Sequence, residues 1–373
     1  GASYVMLLGN LGTLKLMIDP EPDMHPNRWY WYPTRILGES TNGAGGAITE
    51  MPFFSFLYGD LHAHIIGLLP VTVFLMIGWM LVQRRSAFFA FWLGVLAGIM
   101  YMTNTWDVLL YVPLGGLLLI LASVSMSASI RHFIRLSIFT AIGGILTITP
   151  YYLHFTLGEN GGFEKWQGAK SLLEPFLMTW GIPMSIIGFW LVHRLKRLLV
   201  PEADSPVEIG MLILVFVAML ILPSTTATTV LLAIFILAGI VLARFDDVSL
   251  RYVHLATALI FLILLLPEFI VVKGDVGRQN TVFKSAFQVW VWLGLLIPVL
   301  LYEMFVRGRM YLQVAVCAVL LLLGFLYPIR ALPAREADSE TGSLTLNGYQ
   351  FMDSMVLFYD DDPIVTRRDR DLT

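Results

Sequence analysis

Apolar positions along the chain fall into unbroken blocks of about 16–23 residues, separated by short polar stretches. Blocks of that length cross the hydrocarbon core of a bilayer as helices, which need roughly 20 residues. Ten are read at about 61–83, 86–103, 107–125, 132–155, 172–194, 208–223, 226–243, 251–272, 284–306 and 310–328. The first nineteen residues read as a partial transmembrane or re-entrant helix, an eleventh. The expected fold class is therefore all-α: a polytopic integral membrane protein with about 10–11 transmembrane helices. A transmembrane barrel would instead show alternation over about ten residues per strand, which is absent. The bundle is expected over 61–328, after an extracytoplasmic loop over 20–60 and before a polar tail over 329–373.

The connections alternate in charge. One set holds Arg84 and Arg85; Arg131 and Arg135; Arg194, Lys196 and Arg197; Arg244 and Arg251; Arg307 and Arg309. The other holds only Lys165, Lys170, Lys273, Arg278 and Lys284. Basic loops stay in the cytoplasm, so the first set is assigned inside. The opposite face then carries the 20–60 loop, the TNTWD turn at 103–107, the 156–171 loop, the KGDVGRQN turn at 273–280 and the tail. The unusual polar residues gather there. A site is expected on the extracytoplasmic face of the cytoplasmic (plasma) membrane.

Composition narrows the function classes. Of 373 residues, 57% are hydrophobic and 14% charged; a soluble domain carries about 25% charged residues. A soluble enzyme is excluded. A net charge of −3 gives no basic footprint for nucleic acid. The single cysteine, Cys317, lies in an apolar run, which excludes a disulfide framework or a cysteine metal cluster. The chain opens on Gly1 without a basic n-region, and reads as a piece of a longer protein entered part-way through a span. STNGAGGA at 40–47 reads as a flexible connector.

Three stretches could carry chemistry. The first is Ile48-Thr-Glu50-Met-Pro-Phe-Phe-Ser-Phe-Leu-Tyr58-Gly-Asp60-Leu-His62-Ala-His64, running into the first full span. Ionisable residues at such a depth are costly and mark a function or a specific partner. Asp60 and His64 are four apart, on one face of a helix, and His62 points elsewhere. Asp60 with His64 suits a divalent ion, or the helix start suits an anionic phosphate. The plainer alternative makes Asp60 a helix cap and the histidines interfacial. The second stretch is Thr103-Asn104-Thr105-Trp106-Asp107: Asp107 reads as an N-cap and Trp106 as an anchor, while the Asn104 amide could bond a polar ligand. The third runs from Glu268 through Lys273, Asp275, Arg278 and Asn280 to Lys284. Arg278 and Lys284 suit a phosphate, one as a fork and one as a point charge; Glu268 and Asp275 could orient them. Snorkelling and local pairing are the alternative. Tyr151 and Tyr152, and the Arg28-Trp-Tyr-Trp-Tyr32 run with Arg35, fit an interfacial aromatic belt, and aromatic faces also stack on sugar rings.

EMPFFSFLYGDLHAH, YMTNTWD, TPYYLHF and GRQNTVFK, in this order, resemble the YYY-type polytopic membrane proteins, a family built on a domain of unknown function (2298). The resemblance runs from about Arg28 to Tyr349, and LTLNGYQFM resembles the start of that family's outer C-terminal segment. The family is similar in architecture to the C-type (GT-C) glycosyltransferases, an analogy of fold. Gln279 stands where the family usually has Met, and the outer loop in which such transferases keep a catalytic carboxylate would lie upstream of Gly1.

The resemblance implies sugar transfer from a polyprenyl-phosphate donor to an acceptor outside the membrane. Glu50 or Asp60 would act as general base, and Arg278 and Lys284 would stabilise the departing phosphate. His62, His64, Asn104, Asp107, Tyr151, Tyr152, Glu268, Asp275 and Asn280 would contact substrate, with a divalent metal (Mg or Mn) on Asp60 and His64. Lipids and other membrane subunits are the expected partners, and nucleic acid is not. Two other classes stay open: a transporter of lipid-linked solute, disfavoured because no repeat shows and the polar residues gather at one boundary, and a non-catalytic structural subunit of a membrane complex.

Overall fold

In the computed structural model the described residues are 2–20, 24–25, 28–39, 47–59, 62–124, 129–155, 162–199, 210, 217, 221–337, 357–359 and 362–365. The chain opens with two short helices, α1 (Ala2–Leu7) and α2 (Gly12–Ile18), then α3 (Ile36–Glu39) and α4 (Pro52–Tyr58). Next come α5 (Ala63–Ile66), α6 (Leu68–Arg84), α7 (Ala87–Thr103), α8 (Thr105–Ser123) and α9 (Ser129–Tyr152). Strand β1 (Phe163–Lys165) precedes α10 (Leu173–Leu199), α11 (Ser224–Ala243) and α12 (Val248–Leu265). A 3₁₀ turn (Leu266–Glu268) leads to β2 (Ile270–Val272), then α13 (Gln279–Tyr302) with a π turn at its end (Glu303–Arg307), α14 (Tyr311–Gly324) and α15 (Leu326–Ala337). A small antiparallel pair, β3 (Leu357–Tyr359) and β4 (Asp362–Val365), stands near the end.

Eight helical stretches among the described residues are long and apolar enough to cross a membrane, and Ser3–Ile18 and α7 are shorter apolar ones. The protein is all-α and polytopic, as its apolar blocks predict. Two blocks end differently from the expectation. The block at 251–272 stops being helical at Glu268, because Pro267 brings no N–H to continue the ladder and Ile270–Val272 pair antiparallel with Phe163–Lys165 instead. The last block does not give way to tail at 329: α15 carries the helix to Ala337, packing Arg335 over the rings of Tyr30 and Tyr58. The expected block at 208–223 falls almost wholly outside the described residues.

α13 is the central post. Its Val289, Trp290, Leu293, Ile297 and Leu300 are all buried, and Trp290 packs between Trp180 of α10 and Tyr4 of α1 at 5.4 and 5.5 Å. The break between α1 and α2 lies inside this packing, where backbone groups must find protein partners. They do: Gly9 N donates to Gly324 O at 3.1 Å and Leu11 N to Met178 O at 2.8 Å. Asn10 bridges the break, donating to Pro33 O at 2.8 Å and accepting from Gly12 N at 2.9 Å.

α7 and α9 approach backbone to backbone because small residues line their contact. A Cβ on Gly94 would stand 1.9 Å from Thr140 O, and one on Gly143 would stand 2.2 Å from Phe91 O. Thr140 Oγ1 donates across the gap to Ala90 O at 3.0 Å. Gly94→Ala must push the helices apart and is expected to cost about 1–3 kcal/mol, read as a lower midpoint in a denaturing-detergent titration. Gly116, with open space around its Cβ position, is the control: Gly116→Ala should leave the midpoint unchanged.

Candidate functional site

Three elements meet at the membrane boundary that carries the long loops. α13 brings Lys284 in its second turn, α8 brings Asp107 in its first, and α5 brings His64. Lys284 Nζ lies 3.1 Å from His64 Nδ1. An ammonium only donates, so that ring nitrogen accepts and the imidazole proton sits on Nε2. The His64 ring is buried and held edge-on by Phe283 and Phe287, each at 4.8 Å.

Asp107 is 1% exposed. Its Oδ1 accepts from Asn104 Nδ2 at 2.9 Å and from Gln288 Nε2 at 2.7 Å, and Lys284 acts on it through space. The break between α5 and α6 falls at Gly67, where a Cβ would stand 2.7 Å from Asp107 Oδ2; glycine there lets the carboxylate in. Behind Gln288 the network goes deeper. Its Oε1 accepts from Tyr111 OH at 2.7 Å, and Trp292 Nε1 donates to that hydroxyl at 2.8 Å.

Beside Lys284 opens a cavity of about 290 Å³, walled by Trp106, Leu109, Leu266, Pro267 and Val272. It is apolar, with one cation at its edge. The β1–β2 pair roofs this region, continued by Trp166 N donating to Phe269 O at 2.8 Å and Lys273 N to Gly162 O at 3.0 Å.

Arg278 stands apart from the solvent. It is fully buried; Nη1 donates to Glu268 Oε1 at 2.7 Å and Nη2 to Ser171 Oγ at 3.0 Å. Ser171 in turn donates to both Glu268 oxygens, from Oγ at 2.6 Å and from N at 2.9 Å. Glu268 and Arg278 therefore pair with each other, locking the start of α10 to the approach to α13, with Arg278 Nε buried and outside the pairing. Asp275 is a cap: its carboxylate takes the N–H groups of Asn280 and Thr281 at 3.0 and 2.7 Å, with the Asn280 amide and the Thr281 hydroxyl.

Glu50 is also engaged. Arg35 Nη2 donates to its Oε1 at 2.9 Å, while the same guanidinium bonds Thr34 and lies 3.9 Å over the Trp31 ring. Burial pushes Arg35 down from its ordinary pKa, against the opposing pull of Glu50. Tyr151 packs on Tyr101 and Phe155, and Tyr152 is exposed; neither lines the cavity by Lys284. His62 is exposed, its ring 6.0 Å from that of His64. Asp60 lies outside the described residues. The helix holding His64 begins at Ala63, with His62 in extended backbone before it.

Asp60, the other half of the expected divalent-ion pair with His64, lies outside the described residues; the Lys284 ammonium stands 3.1 Å from His64 Nδ1, and among the described residues no group of three or more His, Cys, Asp or Glu is placed to share a metal.

Sequence reasoning brought Lys284, His64, Asn104 and Asp107 to notice but passed over Gln288, Tyr111, Trp292 and Ser171. A signal existed for the first three. Lys284, Gln288 and Trp292 are spaced by four, as are Asp107 and Tyr111, and that spacing puts polar groups on one helix face. No curated protein and no solved structure matches the chain. The family model described as "Uncharacterized membrane protein (DUF2298)" matches residues 1–293, and the chain belongs to that family.

Proposed function

We propose that the protein is a membrane glycosyltransferase, moving a sugar from a polyprenyl-phosphate donor to an acceptor on the extracytoplasmic face of the cytoplasmic membrane. The observation that carries this reading is the place of Lys284: a cation at the edge of an apolar cavity, held by His64 and facing a buried carboxylate. The cavity suits an isoprenoid chain and the ammonium suits its phosphate. The two clusters of charge away from it, Arg278–Glu268 and Arg35–Glu50, serve as frame.

In the proposed step the acceptor hydroxyl oxygen attacks the anomeric carbon, and the bond from that carbon to the lipid-phosphate oxygen breaks. The electron pair stays on the phosphate, where Lys284 neutralises it. The hydroxyl proton passes to Asp60. Glu50 is the weaker candidate for this task, since a carboxylate paired with arginine is a poor base.

Native mass spectrometry with lipid identification tests the reading. Gently purified protein should carry a polyprenyl phosphate. Asp60→Asn should keep that lipid yet lower transfer at least about 10²-fold, while Glu50→Gln should transfer nearly normally. Unimpaired transfer by Asp60→Asn would remove the proposed base. Bulk phospholipid alone, together with a retained protein partner, would favour a structural subunit.

A further inference from the structure

A second cavity lies at the opposite, arginine-rich end of the bundle. It holds about 520 Å³ between α6, α12 and α13, with walls from Leu75, Trp79, Val253, Ile260 and Leu296. That size falls in the range of about 300–1,000 Å³ typical of ligand sites. It opens sideways: Met76, Leu295 and Val299 on its rim are 62, 48 and 42% exposed. In a membrane that rim faces lipid chains.

The cavity is not a continuation of the one beside Lys284. The two share no lining residue; Trp292, on the wall of the larger one, is pinned by Tyr111, and the void behind it, lined by Leu118, Tyr252, Ala256 and Trp292, has only about 10 Å³. That is barely room for a water molecule, which needs about 10–15 Å³. A chain in the second cavity therefore belongs to a molecule whose headgroup lies at the arginine-rich boundary.

Charge at that boundary says which headgroup. Arg307 stands at the cavity mouth, 62% exposed, with Nη1 3.0 Å from Glu303 in the π turn. Glu303 takes one of its donors and leaves the others for an acceptor. The exposed Arg84 follows Met80 of the cavity wall by about one helical turn, and the exposed Arg309 follows Arg307 by two residues. Asp246, the nearby acid beyond α11, is taken up by Arg194 and His254. Among the described residues near this mouth the exposed arginines Arg84, Arg307 and Arg309 outnumber the acids Glu303 and Asp247, the latter capping Leu250 N.

We infer that this cavity binds an anionic phospholipid, one acyl chain inside and the headgroup phosphate on Arg307 and its neighbours. The site is independent of the transfer reaction. A zwitterionic lipid brings its own cation to the arginines and binds less tightly.

The experiment uses the delipidated chain in mild detergent, reloaded with phosphatidylglycerol or phosphatidylcholine and counted by native mass spectrometry. One phosphatidylglycerol should be retained, with about tenfold preference over phosphatidylcholine. Arg307→Gln should abolish most of that preference. Ala256→Trp should fill the cavity and lose the lipid, and Met76→Trp, at the exposed rim, does the same without disturbing the packed interior. Lys284→Gln, whatever it does to transfer, should leave phosphatidylglycerol retention as in the wild type. Equal retention of the two lipids, or retention unaffected by both filling variants, overturns the inference. So does equal loss with Lys284→Gln, which would make the cavity the far end of the other lipid's path.

Discussion

Arg278→Ala is expected to destabilise the protein by about 3–5 kcal/mol, the usual cost of stripping one partner from a buried ion pair. Both side chains are almost wholly buried, Arg278 at 0% and Glu268 at 4%. Removing the guanidinium leaves the carboxylate without its cation, and the two neutral donors of Ser171 do not offset a charge in that setting. Glu268→Ala should cost a similar amount for the mirror reason. The double replacement Glu268→Leu/Arg278→Met removes both charges and should recover most of the loss. Denaturing-detergent midpoints for the four proteins decide it. If either single variant unfolds like wild type, the pair is not the lock described.

Lys284→Gln is the largest expected effect on activity, a fall of about 10²–10³-fold in transfer. The amide keeps most of the length and loses the charge, so it can still approach His64 but cannot neutralise a departing phosphate. Binding should separate the charge from the chain: polyprenyl phosphate weakens, while the uncharged polyprenol is held as before. Lys284→Arg should recover only part of the rate, since a planar fork does not replace a compact point charge beside a ring nitrogen. Undiminished transfer by Lys284→Gln would take the central residue out of the mechanism.

The bundle was legible because a membrane leaves few alternatives: long apolar blocks have to be helices. Less legible were the places where a block is interrupted by partners remote in sequence. Nothing between 251 and 272 announces that Ile270–Val272 will pair with Phe163–Lys165, since the strand residues are as apolar as the helix before them. The same holds for the site. Lys284, His64 and Asp107 stand out by type, yet Lys284 finds His64 across 220 positions. Arg278 looked like a ligand for phosphate, and only the fold reveals that Glu268 and Ser171 already occupy it. Charge in an apolar sequence marks importance; it does not say whether the charge is spent within the protein or held for a ligand.

The chain of hydrogen bonds beneath Asp107 has one direction. Trp292 gives to Tyr111, Tyr111 to Gln288 and Gln288 to Asp107. A proton relay needs every member to take one proton as it passes another on, and an indole N–H has no lone pair with which to take one. The chain therefore ends electrically at Trp292. Buried polarity that reaches deep into the bilayer is closed at its inner end, so this chain offers no proton wire through which the membrane's gradient could leak.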